Sequence, residues 1–298
     1  MSSEEGKRLL LFGPEGMLGR AIRRRLPAEL ELCSVGRSDC DITDRSQVER
    51  VIASIGPGTI LNCAAMTDVD GCESKRELAM AVNGQGPANL VAAAKRHGLK
   101  LIHVSTDYVF PGESNRPISE EDPVGPVSVY GKSKLAGEKA ILDSAWGNYL
   151  IVRTSWLYGL GGKNFVETML RLAKERKQLR IVDDQVGSPT WTDDLAAAIL
   201  RLLARDGHGL YHYANSGQCS WYGFAREIIL QGQKFGLPIA AEEVLPMRTT
   251  DYPLPAPRPK YSVLSTCKFQ KATGFVPPPW QMSLKKYLQQ RLETGSIR

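Results

Sequence analysis

The opening pattern of the chain is a short apolar run over residues 7–12 that ends at Gly13-Pro14-Glu15-Gly16-Met17-Leu18-Gly19. After it, Leu18, Ala21, Ile22 and Leu26 recur at helical spacing. That order predicts a strand, a glycine turn and a helix. Further apolar runs over 30–35, 59–64, 100–105 and 149–154 read as strands, and 47–55 and 88–97 between them carry helical periodicity. Strands that alternate with helices predict a parallel, doubly wound, Rossmann-like α/β sheet.

The texture changes after about residue 160. Segments 164–177, 193–205 and 220–233 are amphipathic at helical spacing, and 209–214 reads as a strand. Residues 244–262 hold Pro246, Pro253, Pro255, Pro257 and Pro259 without clear periodicity and read as a loop. The expected organisation is a Rossmann-like domain over 1–160, completed by part of 178–215. A smaller α/β domain over 161–298 mainly binds substrate, with an interleaved boundary.

Length and charge narrow the classes. A chain of 298 residues supports a sizeable core, and none of its apolar runs approaches the roughly 20 residues of a membrane span. The polar start, residues 1–5, lacks the apolar core of a secretion signal, so a cytoplasmic protein is expected. Six cysteines without a CxxC pair read as reduced and structural. The net charge of +6 is spread thinly, with no recognition-helix or zinc spacing, which favours small phosphorylated ligands over nucleic acid.

Candidate chemistry follows the predicted strand ends. Gly13, Gly16 and Gly19 allow a tight turn, close approach of backbone amides to a pyrophosphate, and a helix amino terminus facing its charge. After the second strand, where a carboxylate would meet the ribose 2′-hydroxyl of NAD, this chain has Arg37, which suits the 2′-phosphate of NADP. NADPH is therefore the expected cofactor, with NADH as the alternative. Asp41 is placed to accept from the adenine amino group or, equally, to cap a helix near Asp44 and Ser46. The third strand runs into Asn62-Cys63-Ala64-Ala65-Met66-Thr67, mostly small side chains against which a cofactor could lie, and the fourth into Ser105-Thr106-Asp107.

Tyr130 and Lys134 follow four residues apart, a spacing that on a helix puts both on one face with roughly 5–6 Å between Cβ atoms. A free phenol, with a pKa of about 10, exchanges protons slowly near neutrality. Lowering it by about three units takes about 4 kcal/mol, much of which a close ammonium can supply. A hydroxyl at the end of strand four and a Tyr-Lys pair on the next helix point to nicotinamide-dependent carbonyl chemistry.

The stretches LLFGPEGMLG, NCAAMTDVDGCE, HVSTDYVFPG, VYGKSKLAGEKA, RTSWLYG, NFVETMLRLAKER, DDQVGSPT and RPKYSVLST carry a resemblance across nearly the whole chain. It resembles the extended short-chain dehydrogenase/reductases and, among them, the dTDP-4-dehydrorhamnose reductase family. The resemblance implies reduction of the C4 ketone of dTDP-4-dehydro-L-rhamnose, the last step of dTDP-L-rhamnose synthesis. It implies that Tyr130 donates the proton, that Lys134 holds the nicotinamide ribose and lowers the tyrosine pKa, and that Thr106 and Asp107 contact the sugar. Trp156 falls on the position that packs against the deoxysugar. Gly16, Met17, Leu18, Asp41, Ile42, Ala65, Met66 and Thr67 fall on cofactor-contacting positions, and Asn164, Gln185 and Arg258 on candidates for the nucleotide diphosphate end.

Two rivals stay open within that resemblance. One is another nucleotide-sugar epimerase or reductase of the superfamily, and the other a regulatory subunit similar to the β subunit of methionine adenosyltransferase. Some family members are dimers bridged by magnesium through glutamates, but Gly19-Arg20-Ala21-Ile22 offers no carboxylate there. No metal is expected, and a monomer or simple homodimer is.

Overall fold

The computed structural model describes residues 8–295 apart from Pro57. Residues 1–7, with the polar start and the first position of the opening apolar run, lie outside the described residues. The first half runs β1 (Arg8–Phe12), α1 (Met17–Arg25), β2 (Glu31–Val35), α2 (Arg45–Ile55), β3 (Thr59–Asn62), α3 (Val69–Ser74) and α4 (Arg76–Met80). A π-helical turn over Ala81–Gln85 leads into α5 (Gly86–His97), β4 (Lys100–Thr106), α6 (Val129–Leu142) and β5 (Tyr149–Thr154). The second half runs β6 (Leu157–Tyr158), α7 (Phe165–Glu175), β7 (Gln178–Val182), β8 (Val186–Gly187), β9 (Thr190–Trp191) and α8 (Thr192–Ala204). It ends with β10 (Gly209–His212), β11 (Cys219–Ser220), α9 (Trp221–Lys234), β12 (Glu243–Met247), α10 (Cys267–Thr273) and α11 (Trp280–Glu293).

Six strands form a parallel sheet in the order β10-β5-β4-β3-β1-β2. Both faces are covered, which is why its strands read as continuous apolar runs rather than alternating ones. Leu9, Leu11, Leu61, Ile102 and Val152 face Leu18, Ile22, Leu195, Ile199 and Phe269, from α1, α8 and α10. Leu10, Phe12, Ile60, Leu101 and Ile151 face Val48, Ile52, Leu90, Ala94 and Ile141, from α2, α5 and α6. The chain turns to opposite sides of β1 at β2 and β3. This reversal opens a crevice at the strands' carboxyl ends, where ligands bind in such sheets.

A second core joins α7, α9 and α11 through Val166, Met169, Phe224, Ile228, Leu284 and Tyr287. The halves interleave, since β10 completes the edge of the main sheet while α10 returns to pack Phe269 beneath it. The proline-rich segment is not all loop. β12 pairs in parallel with β7, with Pro246 opposite Ile181. A two-stranded ladder has only edge strands, which tolerate a proline that lacks an amide hydrogen. Its helical turn over Thr249–Asp251 was equally invisible in the periodicity.

Candidate active site

The glycine turn is built by three separate constraints. Gly13 has φ +78°, and a Cβ there would sit 2.8 Å from the Ala64 nitrogen. A Cβ on Gly19 would come within 2.3 Å of the Gly13 oxygen, so α1 packs onto the turn only without one. Gly16 is the N-cap of α1 and supplies no side-chain cap, and the first turn holds no carboxylate. The amides that open α1 thus face the crevice without a side-chain partner, which fits a pyrophosphate.

The remaining cofactor candidates ring that turn. Arg37 is exposed just past β2. Asp41 does not cap α2, because Asp44 accepts from the Ser46 and Gln47 amides instead. Asp41 accepts from the Thr43 amide at 2.9 Å and its hydroxyl at 2.8 Å, and these bonds hold its carboxyl below the usual range. The Ile42 side chain is buried against Gly86. Ala65, Met66 and Thr67 follow β3, and Asn83 brackets Met66 by accepting from its amide at 2.8 Å and donating to its carbonyl at 3.0 Å. Asn83 also donates to Ser133, tying this loop to α6.

α6 starts where Ser128 caps the Gly131 amide, and the Val129 amide donates to Glu73 at 2.8 Å. Gly131 is required because a Cβ would meet the Tyr108 carbonyl at 2.2 Å. The helix is thereby pressed onto the end of β4. The Thr106 hydroxyl donates to Asp107 Oδ1 at 2.9 Å and accepts from the Tyr108 amide at 3.2 Å. Asp107 is buried, and its Oδ2 has no partner. Burial pushes its carboxyl up to about 6 against the opposing Ser262 and Thr106 hydroxyls.

The Tyr-Lys pair differs from its sequence expectation. Lys134 Nζ donates to the Val104 carbonyl at 2.7 Å and approaches His103 Nε2 at 3.4 Å. Its nitrogen is directed into the sheet. Burial instead raises Tyr130 above the ordinary tyrosine range, with Thr106 opposing, and burial lowers Lys134 to about 8. Four residues beyond Lys134, Glu138 is fully buried and paired with Arg153 of β5 at 2.6 Å and 2.9 Å.

A cavity of about 830 Å³ opens beside this centre, lined by Tyr108, Trp221, Met247, Tyr252 and, among the sequence candidates, Gln185 and Arg258. Gln185 accepts from Trp221 Nε1 at 3.2 Å and donates to Thr249 at 3.0 Å. Arg258 is not a solvated loop residue, because it grips both oxygens of Asp70 at 2.7 Å and 2.6 Å. Trp156 has φ +46°, a strained value for a bulky residue, and its ring stacks on Trp221 with centroids 3.5 Å apart. One face of the expected sugar platform is therefore taken by another indole. Asn164 is placed apart from that cavity: its oxygen caps the Glu167 amide and its nitrogen donates to the Gly159 and Gly162 carbonyls, and it borders a different cavity. An N-cap in strand-loop-helix context was the simpler assignment for it.

Asn83, Asp70, Tyr108 and Trp221 were missed from sequence. Tyr108 is the edge-on neighbour of Tyr130, with centroids 5.4 Å apart. Its place two residues after Thr106 was the available signal, as was Asp70 within the quoted run at 62–73. Trp221 and Asn83 carry no such mark.

Glycine turn, strand-end hydroxyl and tyrosine-lysine helix on a doubly wound sheet together define a nicotinamide-dependent oxidoreductase of the short-chain dehydrogenase/reductase type. Residues 7–293 match the family described as RmlD substrate binding domain, and the chain belongs to this family of dTDP-4-dehydrorhamnose reductases. It is 41% identical to the dTDP-4-dehydrorhamnose reductase of Escherichia coli strain K12, over 97% of this chain and 99% of that protein. Among solved structures it resembles the dTDP-4-dehydrorhamnose reductase of Clostridium acetobutylicum, with a TM-score of 0.90 and 41% identity over 96% of this chain and 99% of that one. The Bacillus anthracis dTDP-4-dehydrorhamnose reductase, solved in complex with NADP, gives a TM-score of 0.89 and 38% identity over the same shares.

Proposed function

We propose that this chain reduces the C4 ketone of dTDP-4-dehydro-L-rhamnose to dTDP-L-rhamnose with NADPH, NADH serving as the alternative donor. The observation that carries the reading is Tyr130 on α6, set at the carboxyl end of β4 and edge-on to Tyr108, which lines a cavity large enough for a nucleotide sugar. Gly13, Gly16, Gly19, Met17 and Leu18 would hold the coenzyme's pyrophosphate, with Arg37 and Asp41 toward its adenosine and Ala65, Met66 and Thr67 along its middle. When bound, that coenzyme supplies the hydride.

The chain's own residues do the rest. Burial keeps the Tyr130 proton in place until the C4 oxygen gains negative charge, which is the order that reduction needs. Thr106 orients the phenol and the sugar, and Asp107 anchors Thr106. Gln185, Trp156 and Arg258 are assigned to the sugar-nucleotide side. In this reading residues 1–160 and part of 178–215 bind the dinucleotide, and 161–298 mainly bind the substrate. Among the described residues no helix is long and apolar enough to cross a membrane, and we place the chain in the cytoplasm as a monomer or homodimer.

The test follows reduced-nicotinamide absorbance with dTDP-4-dehydrorhamnose. One coenzyme should be oxidised per ketone reduced, and conversion without net oxidation would sink the reading in favour of an epimerase. Tyr130→Phe should lose about 10²–10⁴ in turnover while still binding NADPH.

A further inference from the structure

Beneath the active site, a chain of buried side chains fixes where one proton sits. Asn62 and His103 are register partners on β3 and β4, and both point to the face that α6 covers. The Ala64 amide donates to Asn62 Oδ1 at 3.0 Å, which fixes which end of the carboxamide is oxygen. Asn62 Nδ2, a donor only, lies 3.1 Å from His103 Nδ1. That nitrogen must accept, so a neutral imidazole carries its hydrogen on Nε2. His103 is 1% exposed, and burial with the Lys134 charge drives its pKa well below the ordinary value, so it stays neutral. Its Nε2 lies 3.4 Å from Lys134 Nζ.

A histidine N–H therefore faces the lysine nitrogen. An ammonium has three donors and no acceptor, so it meets this hydrogen unfavourably, whereas a neutral amine accepts it and still donates to the Val104 carbonyl. We propose that His103, held in its Nε2–H tautomer by Asn62, is a positioning residue that biases Lys134 toward the neutral amine, so that Lys134 changes charge within the enzyme's working pH range.

The other groups around Lys134 oppose or leave that bias. On α6, Glu138 favours the ammonium, but its carboxylate is held by Arg153 of β5. Tyr130, one turn back on α6, is kept protonated. Cys63 after β3 has its thiol pushed up to about 12, so it is neutral, and Asn83 beside Ser133 carries no charge. Asp107 at the end of β4 is directed to Thr106. Burial acts in the same direction as His103 and lowers Lys134 to about 8.

The tautomer is read directly by ¹⁵N NMR of the two His103 ring nitrogens in the intact protein, without substrate or coenzyme. A protonated Nε2 and unprotonated Nδ1 between pH 6 and 9 are expected, and the reverse pattern overturns the proposal. The Lys134 titration is followed by ¹³Cε NMR, assigned as the lysine signal absent from Lys134→Met. Asn62→Asp cannot donate to Nδ1 and should transfer the hydrogen there, while Asn62→Leu releases the tautomer without adding charge. Both should raise the Lys134 midpoint, corresponding to about a tenfold weaker acid, and move the alkaline limb of kcat/KM by a similar shift. An unchanged midpoint in folded Asn62→Leu overturns the proposal. The kinetic limb rests on the reductase reading above, but the two NMR measurements do not, so failure of one is distinguishable from failure of the other.

Discussion

On the wall formed by the ends of β1 to β4, the groups turned to the crevice are backbone amides, glycines and small side chains. The opposite wall, from α9 and the segment over 243–258, is made of Trp221, Met247, Tyr252 and Arg258, the last held by Asp70 of α3. The first wall gets its shape from what is missing: no Cβ on Gly13 or Gly19, no cap on α1. The second gets it from large groups holding one another, Trp156 on Trp221, Trp221 to Gln185, and Gln185 to Thr249. A wall of backbone should fail abruptly on one added methyl. A wall of interlocked side chains should weaken by degrees.

Gly19→Ala is the sharpest way to break that comparison. Its Cβ would press on the Gly13 carbonyl and on Pro14 at 2.8 Å, both backbone that cannot rotate away. NADPH affinity by fluorescence titration should fall roughly a hundredfold or more, since overpacking here deforms the anion site itself. An affinity within threefold of wild type would mean that the turn is not a rigid cradle. On the other wall, Arg258→Met should raise the KM for the sugar nucleotide about ten- to fiftyfold and leave NADPH affinity nearly unchanged, the scale of a lost charge-assisted contact. A matching change in both ligands would show that the walls are not independent.

Between the walls, Asp107 makes a stability prediction with a definite sign. Its pKa is raised from the ordinary carboxyl value to about 6 in the folded chain, so the stability present below about pH 4 is lost as pH rises through 6. Asp107→Asn removes that decline. Urea denaturation should find the variant gaining on wild type between pH 4 and 8 by on the order of 3 kcal/mol, at about 1.4 kcal/mol for each pKa unit between the ordinary value and 6. A pH-independent difference would place the proton elsewhere. The smallest effect is expected from Arg37→Ser, since this side chain is exposed. It should cut the preference for NADPH over NADH several-fold in kcat/KM, and unchanged ratios would remove Arg37 from 2′-phosphate recognition.

Legibility in the sequence follows the same division. The parallel sheet, the glycine turn and the helix carrying Tyr130 and Lys134 were readable because each depends on spacing along one segment. β12 was not, since its partner β7 lies about sixty residues away and a proline interrupts its pattern. Asn164 shows the converse, a residue at a ligand-like position that caps its own helix.

The sequence by itself determined the strands of the main sheet and most of the helices that cover it, and which end of the sheet bears amides, hydroxyls and a tyrosine. Periodicity and glycine placement are local, so each segment carries its own instruction. Only the tertiary structure decided the electrostatics. Lys134 was expected to lower the phenol, but packing of α6 on β4 turned its amine to Val104 and His103, and desolvation raises the half-buried phenol instead. Arg258 found Asp70, and Trp156 found Trp221, across long stretches of chain. Charge and hydrogen-bond partners depend on distances through space of a few ångströms, and those distances exist only once the halves have closed on each other.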